Sequence, residues 1–114
     1  MDASLPKRER LCGKKAVEAL FGQGKCLSEG CLRLRYRERD DEEPARMMVS
    51  VPKRHFKRAV KRNLLKRRIR ESYRRQKALA GTGKDLLFVY LPREVASYER
   101  IYADMTALLN RFPA

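Results

Sequence analysis

The sequence predicts a single α+β domain with its elements in the order α-β-β-β-α-β-α. Three observations lead there. Leu32, Leu34 and Tyr36 alternate with Arg33, Arg35 and Arg37, the period of a half-buried strand. Residues 58–79 contain no Gly or Pro and are rich in strong helix formers. Residues 86–91 form a short apolar run bounded by turn residues, as in a buried strand. Helices interleaved with strands pack on a sheet rather than into a bundle. A chain of 114 residues suffices for one such core, so residues 1–114 are read as one domain.

Each element has its own local reason. Residues 14–21 read as a first helix, with Val17, Leu20 and Phe21 at helical spacing and Gly22 and Gly24 ending it. A short strand is expected near residues 25–28, followed by the alternating strand at 32–37. Asp40, Asp41, Glu42, Glu43 and Pro44 form a solvated loop. Residues 46–51 read as the next strand, with Met47, Val49 and Val51 on one face and Pro52 closing it. The long helix at 58–79 ends at Gly81-Thr82-Gly83. After the buried strand, Ser97 can cap a last helix. Its apolar stripe is Tyr98, Tyr102, Met105, Leu108, Leu109 and Phe112.

Charge narrows the function. The chain carries 28 Lys and Arg against 14 acidic residues, a formal net charge of +14. Such an excess calls for a polyanionic partner. No apolar run reaches 18 residues, so no membrane span is expected. The N-terminus lacks the apolar stretch of a secretory signal, which makes the cytoplasm the expected compartment. Cys12, Cys26 and Cys31 are then read as reduced thiols. A zinc site with His55 as fourth ligand would lack both the C-x2-C and the H-x3-5-H pair, so no metal site is assigned.

The excess is local. Thirteen of the 28 basic residues lie between positions 53 and 77, opposed there by Glu71 alone. The other 15 face 13 acidic residues. At about 100° per residue, Leu65, Ile69, Ser72 and Tyr73 share one narrow stripe. Asn63, Lys66, Arg67, Arg70, Arg74 and Lys77 share an adjoining face, with Arg62 at its edge. A Lys/Arg face three turns long suits a run of phosphates, onto which Arg can fork. Asn63 adds a donor and an acceptor for a base or a 2′-hydroxyl. A merely solvated helix would need counter-charges that this one lacks, and its i, i+4 cations repel. The apolar stripe is too narrow for a membrane surface. Nucleic-acid binding is the expected role.

These residues also form a recognisable pattern. Val49-Ser50-Val51-Pro52-Lys53-Arg54 is followed by Ala59-Val60-Lys61-Arg62-Asn63-Leu64-Leu65-Lys66-Arg67-Arg68-Ile69-Arg70-Glu71-Ser72-Tyr73. Together they resemble the signature of the bacterial ribonuclease P protein component family. That pattern is a strand ending in Ser-Val-x-Lys-Lys/Arg, a loop, and a helix bearing Arg-Asn-Arg-x-Lys-Arg-x-x-Arg. Arg10-Leu11, Phe21-Gly22-Gln23-Gly24 and residues 85–90 extend the likeness over almost the whole chain.

The resemblance implies a fold like the second domain of ribosomal protein S5, with a left-handed β-α-β crossover. It implies a non-catalytic subunit of a ribonucleoprotein endonuclease. Ribonuclease P RNA and precursor tRNA are the implied partners, and Mg²⁺ is held mainly by the RNA. The matched RNA-contacting positions are Lys53, Arg54, Arg62, Asn63, Lys66, Arg67 and Arg70, and Arg74 continues their face. Phe21 and Tyr36 match aromatic positions near a cleft, between the first helix and the sheet, for the 5′ leader of the tRNA precursor. Ordinary core packing accounts for these two equally well. The sequence departs from the family twice: Leu64 replaces the third residue of the Arg-Asn-Arg triplet, and Val17 replaces an aromatic.

No Ser/His/Asp set, paired-carboxylate motif or P-loop is visible, so no catalytic residue is expected in the protein. A ribosomal or general RNA-binding protein shares the charge pattern and would not assist cleavage. A self-sufficient nuclease would need a constellation that this sequence does not display.

Overall fold

A computed structural model of the chain describes residues 6–11 and 13–112. The elements are α1 (Lys14–Gln23), β1 (Lys25–Glu29), β2 (Leu32–Glu38), β3 (Arg46–Ser50), α2 (Ala59–Arg74), β4 (Lys84–Tyr90) and α3 (Tyr98–Leu109). Two short 3-10 turns, Lys7–Glu9 and Lys77–Leu79, flank them. The predicted order is the observed one.

The four strands form one sheet in the order β1-β2-β4-β3. β2 runs antiparallel to both β1 and β4. β3 and β4 are parallel neighbours, so α2 is the crossover between them. Period-two alternation divides the sheet into two faces. Leu32, Leu34, Tyr36, Met47, Val49, Leu86, Phe88 and Tyr90 point into the main core, where Leu65, Ile69 and Tyr73 of α2 and Ile101, Met105 and Leu108 of α3 cover them. On the other face α1 brings Leu20 against Leu87, with Leu11, Ala16, Met48 and Val89 around them. The sheet is thus sandwiched between α2 and α3 on one side and α1 on the other.

Three local expectations change. α1 runs through Gly22 and stops at Gly24, whose N–H donates to Leu20 O at 2.9 Å. A side chain at Gly24 would collide with that same carbonyl. α2 ends at Arg74, not at position 79. Gln76 leaves helical geometry (φ −137°, ψ 23°) and is buried against α3. Its side-chain amide donates to Tyr102 O, and its Oε1 accepts from Thr106 Oγ1 at 2.6 Å. The backbone turns tighter instead: Gln76 N–H donates to Tyr73 O at 3.0 Å, Leu79 N–H to Gln76 O at 3.1 Å and Ala80 N–H to Lys77 O at 2.9 Å. In α3 the Ser97 hydroxyl caps as predicted, accepting from Arg100 N–H. Ile101 is fully buried there, whereas Tyr98 and Tyr102 are half-buried. Phe112 lies past the helix end and packs edge-on to Tyr36, with ring centroids 4.9 Å apart.

Candidate nucleic-acid interface

The interface begins in the loop at 51–58. Val51 and Phe56 are buried in the main core, and the Phe56 ring lies 5.9 Å from that of Tyr90. Between these anchors His55 N–H donates to Pro52 O at 3.1 Å, a turn with Lys53 and Arg54 at its centre. Both cations are exposed.

α2 follows. Its buried residues are Leu65, Ile69, Ser72 and Tyr73, the stripe that helical spacing predicts. Ser72 avoids an orphaned hydroxyl by donating to Ile69 O at 2.9 Å. With that stripe on the core, the adjoining face turns outward. Asn63, Arg67 and Arg70 are exposed, and Lys66 is half-buried. With Lys53 and Arg54 they form a ridge of donors that carry no ion pair or side-chain hydrogen bond among the described residues.

Three predicted members of the basic face are engaged internally. Arg62 donates from Nη1 to Phe56 O at 2.6 Å and to Lys57 O at 2.9 Å. Arg74 pairs with Glu71, Nε to Oε1 at 2.6 Å and Nη2 to Oε2 at 2.9 Å. The Arg74 hydrogen bonds hold the Glu71 carboxyl below its ordinary range. Lys77 lies past α2 in the 3-10 turn and reaches Glu9 at 2.7 Å. Glu9, Tyr73 and Lys77, with Pro44, Ala45 and Thr82, line a groove of about 290 Å³ at this end of α2. Of the remaining cations, Arg68 donates to Ala96 O at 2.6 Å and ties α2 to the start of α3.

Sequence reasoning singled out too few residues at the other end. Lys57, Arg58 and Lys61 are exposed around the helix start and make no ion pair with any described residue. They belong to the charged block legible in the sequence, but helical spacing does not place them on the face shared by Asn63, Lys66, Arg67 and Arg70.

The two aromatics part company. Phe21 is 56% exposed on the α1 side of the sheet, with the Arg35 guanidinium 4.9 Å from its ring centroid. This is cation–π geometry at an open surface. Exposed Arg33 shares the Arg35 side of β2, a surface implicit in the alternation but not drawn from it. Tyr36 instead points to the opposite face and is 6% exposed in the main core. It does not line a cleft between α1 and the sheet. The register of β2 puts every even-numbered residue on the side of α2 and α3.

A buried carboxylate was not foreseen. Asp85 is fully buried at the start of β4. It accepts from Arg39 at 2.6 Å, from Arg46 at 2.9 and 3.1 Å and from Arg37 at 3.2 Å. Burial by itself would raise the Asp85 carboxyl pKa. The hydrogen bonds from Arg46 and Arg39 outweigh it and hold the group below its usual range. Arg39 also grips the acidic loop through Asp41 and the carbonyls of Glu43 and Pro44. The cluster therefore ties three strands and a loop together. Its carboxylate was hard to foresee because Asp85 stands alone between turn residues and an apolar run.

Among the described residues, no three His, Cys, Asp or Glu side chains come together as a metal site. Cys26 is exposed and Cys31 is buried; Cys12 lies outside the described residues.

Known proteins share this pattern. The ribonuclease P family profile matches residues 5–113. A ribonuclease P protein component of Porphyromonas gingivalis is 44% identical over 77 residues, covering 66% of this chain and 56% of that protein. The chain thus spans little more than half the length of that relative. The ribonuclease P protein component of Chlorobaculum tepidum is 36% identical over a 133-residue alignment, covering 96% of this chain and 86% of the relative. The ribonuclease P protein of Thermotoga maritima superposes with a TM-score of 0.81 at 25% identity, covering 94% of this chain and all of that one. The Staphylococcus aureus protein, at 21% identity, shares the fold with a TM-score of 0.79 over 90% of this chain and 94% of its own. The chain belongs to the ribonuclease P protein family.

Proposed function

We propose that this chain is the protein subunit of ribonuclease P, binding ribonuclease P RNA along α2 and its entry loop. In this reading the assembled particle removes the 5′ leader of precursor tRNA to give the mature end. The observation that carries it is the ridge of Lys53, Arg54, Asn63, Lys66, Arg67 and Arg70, whose side-chain donors find no acceptor among the described residues. Each cation placed on a phosphate releases condensed counterions, so affinity falls steeply with salt. Arg62 and Arg74 are the less available members, because their guanidinium groups already hold protein acceptors. The single-stranded leader is assigned to the α1 side of the sheet, where Phe21 offers a stacking face beside Arg35.

The protein contributes binding and orientation. Mg²⁺ would supply electrophilic help at the phosphodiester and is assigned to the RNA, since the described acidic side chains do not assemble a metal site. No helix among the described residues is long and apolar enough to cross a membrane. We place the protein in the cytoplasm with its RNA.

The test is reconstitution. The protein is mixed with a bacterial ribonuclease P RNA and a precursor tRNA at low Mg²⁺. Leader removal should rise well above that of the RNA alone. No stimulation with any of several bacterial RNAs would remove this role and leave a general RNA-binding protein.

A further inference from the structure

We infer that Arg62 is a positioning residue, which presents the loop at 52–58 to RNA. Its Nη1 donates to two backbone carbonyls, those of Phe56 and Lys57. Both lie before α2 begins, so the guanidinium folds back over the start of its own helix. The planar group is directional, and with Nη1 committed to two carbonyls its plane is fixed against the loop, leaving only the Nε and Nη2 edge for any further acceptor.

The loop needs such a hold. Lys53, Arg54, Lys57 and Arg58 stand there with no acidic residue among them. They crowd the positive end of the helix dipole, which adds to their mutual repulsion. No side chain caps this end: Arg58 at the N-cap makes no such bond, and the first turn contains no acidic residue. What opposes the repulsion is the burial of Phe56, the single turn bond from His55 to Pro52, and the Arg62 clamp. Phe56 is thereby fixed twice, by its ring in the core and by its carbonyl on Arg62. Between that fixed point and buried Val51 at the strand end, Lys53 and Arg54 turn outward and are exposed.

The consequence for RNA rests on the function proposed above; the clamp itself does not. Its first test uses the free wild-type protein and nitrogen-15 NMR of arginine side chains. Arg62 should show slowed rotation and protected Nη protons, unlike Arg67 and Arg70. Equal mobility of all three overturns the inference. The second test is Arg62→Ala. Exchange of the His55 amide should speed up by about tenfold or more while β4 amides keep their protection, which separates loop release from global unfolding. An unchanged His55 amide also overturns it.

The third test measures the log–log salt slope for ribonuclease P RNA. A direct phosphate contact would lower the slope by about 0.7 to 0.9 in any background. Positioning instead predicts a larger fall in the wild-type background and almost none once Lys53 and Arg54 are already Ala. Coupling to Arg67→Ala should be absent. A one-contact loss that repeats in every background sinks the inference. If wild-type protein fails to bind the RNA at all, the proposed function falls and the NMR result still decides the clamp.

Discussion

Lys77 Nζ lies 2.7 Å from Glu9 Oε1, joining two residues 68 positions apart. The contact takes one cation out of the face that the sequence assigned to RNA. Glu9 is 6% exposed, so little water can take the place of this partner. Lys77→Ala should therefore act on stability and not on RNA. Leaving Glu9 unpaired costs about 1–2 kcal/mol, less than for a fully buried pair because Lys77 is partly solvated. Urea unfolding should show that loss, while the salt slope for RNA stays at its wild-type value. Arg67→Ala should do the opposite, leaving the urea midpoint alone and lowering the slope by about 0.7 to 0.9.

Phe21 and Tyr36 should separate in the same manner. Phe21→Ala removes an exposed ring and should change stability by less than about 1 kcal/mol. It should weaken binding of precursor tRNA more than that of leaderless tRNA. Tyr36→Ala empties a core site against Phe112 and should cost about 3 kcal/mol. Equal losses by Phe21→Ala on both substrates would remove Phe21 from leader binding.

Acid should act through Asp85. Its folded pKa is held below the ordinary value of 3.8. The folded state therefore binds fewer protons than the unfolded chain as pH falls. The stabilisation is fully present above about pH 5 and fades as the solution falls through 3.8 toward the folded pKa. Asp85→Asn leaves Arg37, Arg39 and Arg46 without their shared anion and should cost about 3 kcal/mol at neutral pH. Urea midpoints measured from pH 2 to 6 should fall less steeply with acid in the variant. Parallel profiles for the two proteins would show that another carboxylate governs the acid limb.

The thiols should react unequally. Burial first, then a hydrogen bond with Asp104, pushes Cys31 up to about 12. Almost none of it is thiolate at neutral pH. Cys26 is exposed on β1. Iodoacetamide at pH 8 followed by peptide mass mapping should find Cys26 modified in the native protein. Cys31 should be modified only after denaturation, and rapid labelling of native Cys31 would contradict its burial.

The sequence by itself determined the type and order of every element, the buried stripe of α2 and the concentration of charge between positions 53 and 77. These are local properties. Periodicity fixes which residues share a face, and the scarcity of acids near a run of cations is visible without coordinates. Tertiary structure decided which cations remain free. Arg62 is held by loop carbonyls, Arg68 by Ala96 and Lys77 by Glu9, and the last two partners come from other parts of the chain. Gln76 could not be read as a helix end, because the partners that hold its side chain belong to α3. Alternation in β2 told that Tyr36 and Arg35 lie on opposite faces. Only the packing of α1 on the Arg35 face and of α2 and α3 on the other decided that Tyr36 belongs to the core, since a strand pattern distinguishes two faces without saying which helix covers each.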